Sequence, residues 1–293
     1  MHQISKNSLS YVLLFLLGLI WGSSFLFIKF TVISLEPITA VLLRMTVAAS
    51  CLFVYLKIQK IILPLEKKDI TNYFAIAILG NVLPFILVTW AEVSINTNVT
   101  GIIMGLMPII TVFLAYFFVK EEKINVYTFI GILLGFGGLF FLLEIVKNGN
   151  NNFFFESAVA LAAISFATAT IYTRKIPNFQ PIYILTGSTY FAFLMLIPLA
   201  LIFENPLNTS ATSQSIIFGI VLGILNTAIG GLIFFKLIKL SSAAFTSTVN
   251  FIVPFIAIIW GYVFLSESLN TNQLVGFLFI LTGIYLVKKS INS

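Results

Sequence analysis

The chain has 293 residues, of which 59% are hydrophobic and only 9% charged, with a mean hydropathy of +1.08. Soluble domains average about 45–50% apolar and about 25% charged, so a water-soluble globule is excluded and an all-α polytopic membrane protein is indicated. The net charge of +6 resides on lysines and arginines at the ends of apolar runs rather than in one patch. The expected partners are therefore the lipid bilayer and a small-molecule solute, not nucleic acid.

A crossing helix needs about 20 residues, and hydropathy with loop signals places ten spans at roughly 11–30, 38–57, 71–90, 98–119, 125–146, 153–173, 181–203, 214–235, 242–264 and 272–287. The first contains Trp21 and is followed by no small-residue cleavage site, so it is read as a retained span rather than a signal peptide. The second holds Arg44 and the single cysteine, Cys51. The third carries Asn81, Pro84 and Trp90, with Glu92 just beyond its end. The fourth holds Thr100, Met104 and Pro108; the sixth Phe166; the eighth Asn226 and Thr227; the ninth Thr246, Asn250 and Pro254.

Charge fixes an orientation. With the N-terminus in the cytoplasm, thirteen of the 16 basic residues fall on cytoplasmic segments, namely Lys6, Lys57, Lys60, Lys67, Lys68, Lys120, Lys123, Arg174, Lys175, Lys236, Lys239, Lys288 and Lys289. The positive-inside bias then predicts both termini on the cytoplasmic side.

The chain also repeats itself. A shift of 146 residues places Thr100 on Thr246, Pro108 on Pro254, Tyr116 on Tyr262, Glu121 on Glu267 and Gly137 on Gly283. Residues 1–147 and 153–290 thus read as two five-span units. Because five is odd, the second unit must cross the bilayer in the opposite sense to the first. Inverted repeats of this kind characterise secondary transporters with a solute site between the halves.

Proline removes a backbone donor and frees the carbonyl four residues earlier, which in lipid must face protein or a wet cavity. Pro108 and Pro254 are therefore expected to break the fourth and ninth spans as hinges, freeing the carbonyls of Met104 and Asn250; Pro84 is a third candidate. Thr100 and Met104, with Thr246 and Asn250, line that expected cavity. Asn81, Asn226 and Thr227 are mid-span polar groups suited to binding solute or to joining spans. Trp21 and its repeat mate Phe166 supply aromatic walls, whereas Trp90 is placed as an interfacial anchor. Arg44 could pair with Glu36 or Glu92, or receive a solute carboxylate; Glu92 is read as solvated or paired near the outer end. Glu121 and Glu267 are expected to cap span junctions, and the GxxxG pairs Gly131/Gly135 and Gly219/Gly223 to allow close helix packing. The only histidine is His2, and no HExxH or GxSxG occurs, so neither a catalytic site, a metal nor a cofactor is expected.

The stretches GLIWGSSFLFIK (18–29) and EPITAVLLR (36–44), the segment 91–122 ending in KEE, and 240–268 ending in SES resemble the drug/metabolite transporter superfamily, specifically its EamA-type members. That resemblance implies ten helices in two inverted repeats around a central cavity. It also implies export or exchange of amino acids, related metabolites or xenobiotics in a bacterial inner membrane. The small multidrug-resistance branch uses a glutamate in its first span; Leu13–Phe30 has no acid, so that mechanism is not carried over. A facilitative or channel-like permease for drugs or organic cations is the alternative, a membrane enzyme a remote one. Monomer and homodimer are both compatible with the sequence.

Overall fold

A computed structural model describes residues 2–118, 126–142, 152–176, 180–206, 210–240, 246 and 249–291. The described residues are helical with no strand. Helices meet the demand of lipid, where every backbone N–H and C=O must be satisfied within the protein. Helix α1 is His2–Thr31 and α2 Pro37–Gln59; α3 joins Lys67–Ala77 and Leu83–Glu92 through a π-helical turn, Ile78–Val82. Helix α4 is Thr97–Met104 followed by Met107–Phe118, α5 is Val126–Leu142 and α6 Asn152–Arg174. Helix α7 is Pro181–Phe203; α8 joins Ser213–Val221 and Gly230–Leu240 through a second π-helical stretch, Leu222–Ile229. Helices α9 (Val249–Leu265) and α10 (Thr271–Ile291) complete the bundle.

Seven of these are long and apolar enough to cross a bilayer, and α5, α9 and α10 are shorter apolar helices. The long ones bury between 39% and 50% of their most apolar window, so every one faces protein on one side and lipid on the other. Phe117, Phe118, Ile202, Phe203 and Tyr262 are exposed on that outer surface, where hydrocarbon is the solvent.

Prolines start two helices where a missing N–H leaves no bond unmade, Pro37 in α2 and Pro181 in α7. N-termini are also capped across space. The Glu204 carboxylate, at the end of α7, accepts from the backbone N–H of Ile38 (2.8 Å) and Thr39 (2.6 Å) and from the Thr39 hydroxyl (2.7 Å). Glu267 does the same for α4, accepting from the N–H of Thr97 (2.9 Å) and Asn98 (3.0 Å). The expected structural role of Glu267 is thus met, with both orphan amides of a helix N-terminus held by one carboxylate; Glu121 lies outside the described residues.

The packing of the two halves is reciprocal. Helix α1 packs on α9 and α8, and its mate α6 packs on α4 and α3. Helix α2 meets α8 as α7 meets α3, while α2–α7, α4–α9 and α5–α10 pair mate with mate. At the α5–α10 contact, a side chain on Gly138 would strike the carbonyl of Gly276, and one on Gly283 the carbonyl of Gly131. Those two contacts are the same contact written twice at an offset of 145, so that in packing Gly283 answers to Gly138 rather than to the Gly137 that a shift of 146 aligns with it. In α8, Gly219 lies against Leu43, and Gly223 against Val47 and the Arg44 carbonyl. Small residues here serve close approach, as the spacing implied.

Proline acts less uniformly than expected. Helix α4 is interrupted at Gly105–Leu106, before Pro108, but α9 runs continuously through Pro254. The two still meet at these positions: Gly105 lies beside the Pro254 ring, and Gly101 against Ala257. Gly105 gives α4 room to bend there, whereas at the offset of 146 Phe251 stands in place of Gly105 and α9 keeps its course.

Pro84 has a different effect from the one its i−4 rule suggests. It follows the turn Ile78–Val82, in which the Leu83 N–H reaches back to the Ile78 carbonyl. In that five-residue register the partner Pro84 would have bonded is Leu79, and the Leu79 carbonyl instead accepts from the Ser165 hydroxyl of α6 at 2.7 Å. The lost backbone donor is thus replaced from the other half of the chain. Ser165→Ala, which orphans that carbonyl, is expected to lower stability by about 1–2 kcal/mol; an unchanged melting temperature would show that the turn is satisfied some other way.

Candidate functional site

The residues that repay attention lie where the two π-helical segments face the first spans. Such segments insert one extra residue per turn and concentrate at functional sites. In α8 the Trp21 indole N–H donates to the Asn226 carbonyl at 3.2 Å, and the Asn226 side-chain amide donates to the Ile20 carbonyl. The Thr227 hydroxyl, five residues on from Leu222, donates to the Leu222 carbonyl at 3.2 Å. Trp21 also stacks on Phe234, with ring centroids 5.4 Å apart. A side chain at Gly230, the position matching Pro84, would meet the indole nitrogen at 2.7 Å. Gly230→Ala should therefore displace Trp21 and reduce the quenching or burial of its fluorescence, a change absent if the indole lies elsewhere.

Thr227 is also the acceptor for Arg44. The Arg44 Nε donates to the Thr227 hydroxyl at 2.8 Å, and the guanidinium carbon lies 3.8 Å from the centre of the Phe85 ring. Phe85 in turn meets Phe166 edge-on, with centroids 5.6 Å apart. Five of the residues singled out by sequence, Trp21, Asn226, Thr227, Arg44 and Phe166, are thus joined through Phe85 into one chain of contacts that alternates between the halves. Asn226 is 2% exposed, and its side-chain oxygen has no hydrogen-bond partner.

Arg44 is only 6% exposed yet pairs with no acid among the described residues, so the expected ion pair with Glu36 or Glu92 is not formed. Its terminal nitrogens bond no described residue either. Arg44 lines a narrow void together with Ile28, Thr31, Ala40, Val41, Thr89 and Leu222. The void has no room for a water molecule, so the site is closed in this conformation. A larger space of about 480 Å³ lies between α2 and α7, lined by Ala49, Ser50, Phe53, Val54, Tyr190, Phe193 and Leu194. It carries no charge and opens beside exposed Phe53, Val54 and Leu194, which makes it lipid surface rather than a solute seat.

Glu92 departs from its expected solvated place. It is fully buried; one carboxylate oxygen accepts from the Thr97 hydroxyl at 3.1 Å and the other has no partner. The Lys29 ammonium lies beside it but donates to backbone, to the carbonyls of Glu92 (2.7 Å) and Ile95 (2.8 Å). The last carbonyl of α3, orphaned by the end of the helix, and that of Ile95 in the loop beyond it thus take a cation, the pairing the helix dipole favours.

The remaining candidates sit apart from this chain. Thr100 is fully buried, with its hydroxyl turned back to the Asn96 carbonyl at 3.3 Å. Met104 packs between two apolar clusters, one containing Leu222 and Ala257. Thr246 is fully buried and Asn250 half-buried on the α9 side. Asn81 stands in the first π-helical turn, half-buried, and bonds no described residue. Trp90 is 41% exposed against Phe155, as an interfacial anchor would be. Phe85, Thr89, Thr31 and Ser165 were not anticipated. Phe85 had a signal, being next to a mid-span proline; a single threonine or serine in an apolar run has none. No group of acids, histidines and cysteines able to hold a metal occurs among the described residues.

Known proteins place this architecture. The EamA-like transporter family matches the chain twice, over residues 8–144 and 154–288. Among curated relatives, an uncharacterized transporter of Bacillus subtilis, YoaV, is 25% identical over 92% of both chains. An uncharacterized transporter of Archaeoglobus fulgidus is 27% identical over 94% of this chain and 98% of its own. Protein PagO of Salmonella typhimurium is 25% identical over 96% and 93%. A solved crystal structure shares the fold at a TM-score of 0.70 over 98% of this chain and 99% of its own, with 13% identity. Composition, bundle and the doubled family match agree, and the chain is a membrane transporter belonging to the EamA-like transporter family.

Proposed function

We propose that the protein is a secondary transporter, an exporter or exchanger, that moves small organic metabolites such as amino acids across the inner membrane by alternating access. Residues 1–147 and 153–290 form its two inverted five-helix repeats, and both termini are cytoplasmic. The observation that carries this reading is the reciprocity of the packing: the main helix contacts of one half with the other recur with the halves exchanged. Two units of equivalent structure and opposite sense can open to either side at similar energy. The contacts running from Trp21 through Asn226 and Thr227 to Arg44, Phe85 and Phe166 lie on the surface along which such units would part. Thr100 and Met104 in α4, with Thr246 and Asn250 at and just before the start of α9, lie outside that run of contacts and would line the path once the units part, with Pro84, Pro108 and Pro254 as its flexing points.

Solute counterflow in proteoliposomes tests the mechanism. External unlabelled solute should accelerate release of labelled solute from inside. A pore would show none, and an enzyme would change the solute chemically. Trp21→Ala and Asn250→Ala are expected to raise the apparent KM by about tenfold, the size of losing one buried contact of about 1.4 kcal/mol, with expression retained. Unchanged affinity in both would remove these walls from the site. Topology has its own readout. In a Cys51→Ser background, cysteine introduced by Glu122→Cys should label only from the cytoplasm and by Ser268→Cys only from outside. Labelling of both from one side would refute the inverted arrangement.

A further inference from the structure

A cation buried in a membrane protein without a counter-ion needs a reason. A charged side chain at mid-membrane is disfavoured by about 2.5–3.5 kcal/mol on insertion scales, and natural proteins pair it or give it a function. Arg44 lies seven residues past the start of α2, roughly 10 Å into the span at 1.5 Å per residue. It is nearly sealed from solvent, so it does not snorkel to the surface. Its Nε is committed to Thr227 and its face to Phe85. These two contacts fix the plane of the guanidinium, and Arg44 lines the narrow void together with Thr89. Thr89 is 3% exposed, and its hydroxyl bonds no described residue. A donor is therefore available in the same void. Thr31 is different: its hydroxyl donates to the Phe27 carbonyl at 2.7 Å.

We propose that Arg44 is the receptor for an anionic oxygen group of the transported solute, a carboxylate, with the Thr89 hydroxyl as its second donor. This deepens the transport reading above and rests on it. The planar guanidinium presents paired N–H donors that match a carboxylate edge to edge. Charge counting selects the monoanion. Lys29 is held elsewhere by two carbonyls and does not line the void, which leaves the one positive charge of Arg44 to be compensated there. A phosphate dianion would need a second. Because the void admits not even water in this conformation, the carboxylate enters only when the halves part, and its arrival supplies the counter-charge that the closed state lacks. Binding and conformational change are thereby coupled at one residue, since a solute that pairs Arg44 better in one state shifts the balance toward that state.

The test uses the purified full-length chain with matched probes: L-phenylalanine and its amide, L-leucine and its amide, benzoate, inorganic phosphate, a nucleoside and an organic cation. Thermal stabilisation and counterflow are both read. At least one carboxylate is expected to stabilise the protein and to exchange, at concentrations at least about tenfold below those its amide needs, the worth of a charge-assisted hydrogen bond. In Arg44→Gln that preference for acid over amide disappears, while Arg44→Lys retains it in weakened form. Gel filtration confirms that both variants fold, as removal of an unpaired buried charge should permit. Equal response to acid and amide, exchange confined to the nucleoside, the organic cation or phosphate, or an unchanged acid preference in Arg44→Gln overturns the assignment while leaving transport standing. Absence of counterflow for every probe overturns both.

Discussion

Gly138→Ala is expected to loosen α5 from α10 and lower the melting temperature in detergent, while Gly137→Ala, one residue away, leaves it unchanged or slightly raised. A Cβ on Gly138 would lie 2.6 Å from the Gly276 carbonyl oxygen and 3.1 Å from the Ile280 nitrogen. Both are backbone atoms of a packed helix and cannot rotate away. A Cβ on Gly137 meets only the Phe279 ring edge, at 3.8 Å. Overpacking typically costs about 1–3 kcal/mol, and contact with backbone puts this case at the upper end. Replacing glycine by alanine in an exposed helix gains up to about 1 kcal/mol, which is what Gly137→Ala isolates. Lipid offers no hydrophobic force to hold α5 against α10, so close packing must do it alone. The same result is expected of Gly283→Ala, whose Cβ would meet the Gly131 oxygen at 2.6 Å. Equal melting temperatures for the two alanines in α5 would show that the helices are free to move apart.

The second large effect concerns Glu267. Glu267→Ala removes the acceptor for two backbone amides at the start of α4, and hydrogen bonds to a charged group contribute about 1.5–3 kcal/mol each when buried. Glu267→Gln keeps one oxygen and turns an N–H toward the other amide, so an intermediate loss is expected. Hydrogen exchange at Thr97 and Asn98 is the specific readout: protection should fall first there and spread into Thr97–Met104. Uniform change across the chain, or none at these two amides, would mean the cap is dispensable. Glu204 holds α2 in the same manner, and both acids come from the second half to clamp helix ends of the first.

The architecture was legible because lipid makes apolar length a direct statement of helix, and because a repeat in sequence must reappear in packing. Thr100 with Thr246 and Pro108 with Pro254 pointed to a doubled chain without any knowledge of contacts, and the family match is doubled as well, over residues 8–144 and 154–288. The first helix begins earlier than hydropathy suggested, at His2 rather than near residue 11, since a polar stretch carries no hydropathy signal even when helical. The site was half legible. Trp21, Asn226, Thr227 and Arg44 stood out as polar or aromatic residues in apolar runs, but not which of them would touch. Arg44 was compared with the acids nearest its expected depth, whereas the structure gives it Thr227 and Phe85. Glu92 was read from its place beside a loop, yet the ends of α1, α3 and α4 close over it. Pro254 shows the limit of a residue rule: the same amino acid that accompanies a break in α4 is absorbed in α9. The π-helical segments had no signature of their own, because they are a property of register and not of composition.

That register has a mechanical corollary. A π turn stores one surplus residue between two ordinary stretches of helix. If the surplus passes one position along the chain, the residue it passes turns by about 100°, the angle between successive residues of an α-helix, while the helix on either side keeps its orientation. Few backbone bonds change hands in the process. Side chains on α3 and α8 can in this way exchange neighbours one at a time with neither rod leaving its place in the bundle, and Thr227, seated within the slack itself, would carry its grip on the guanidinium along with it.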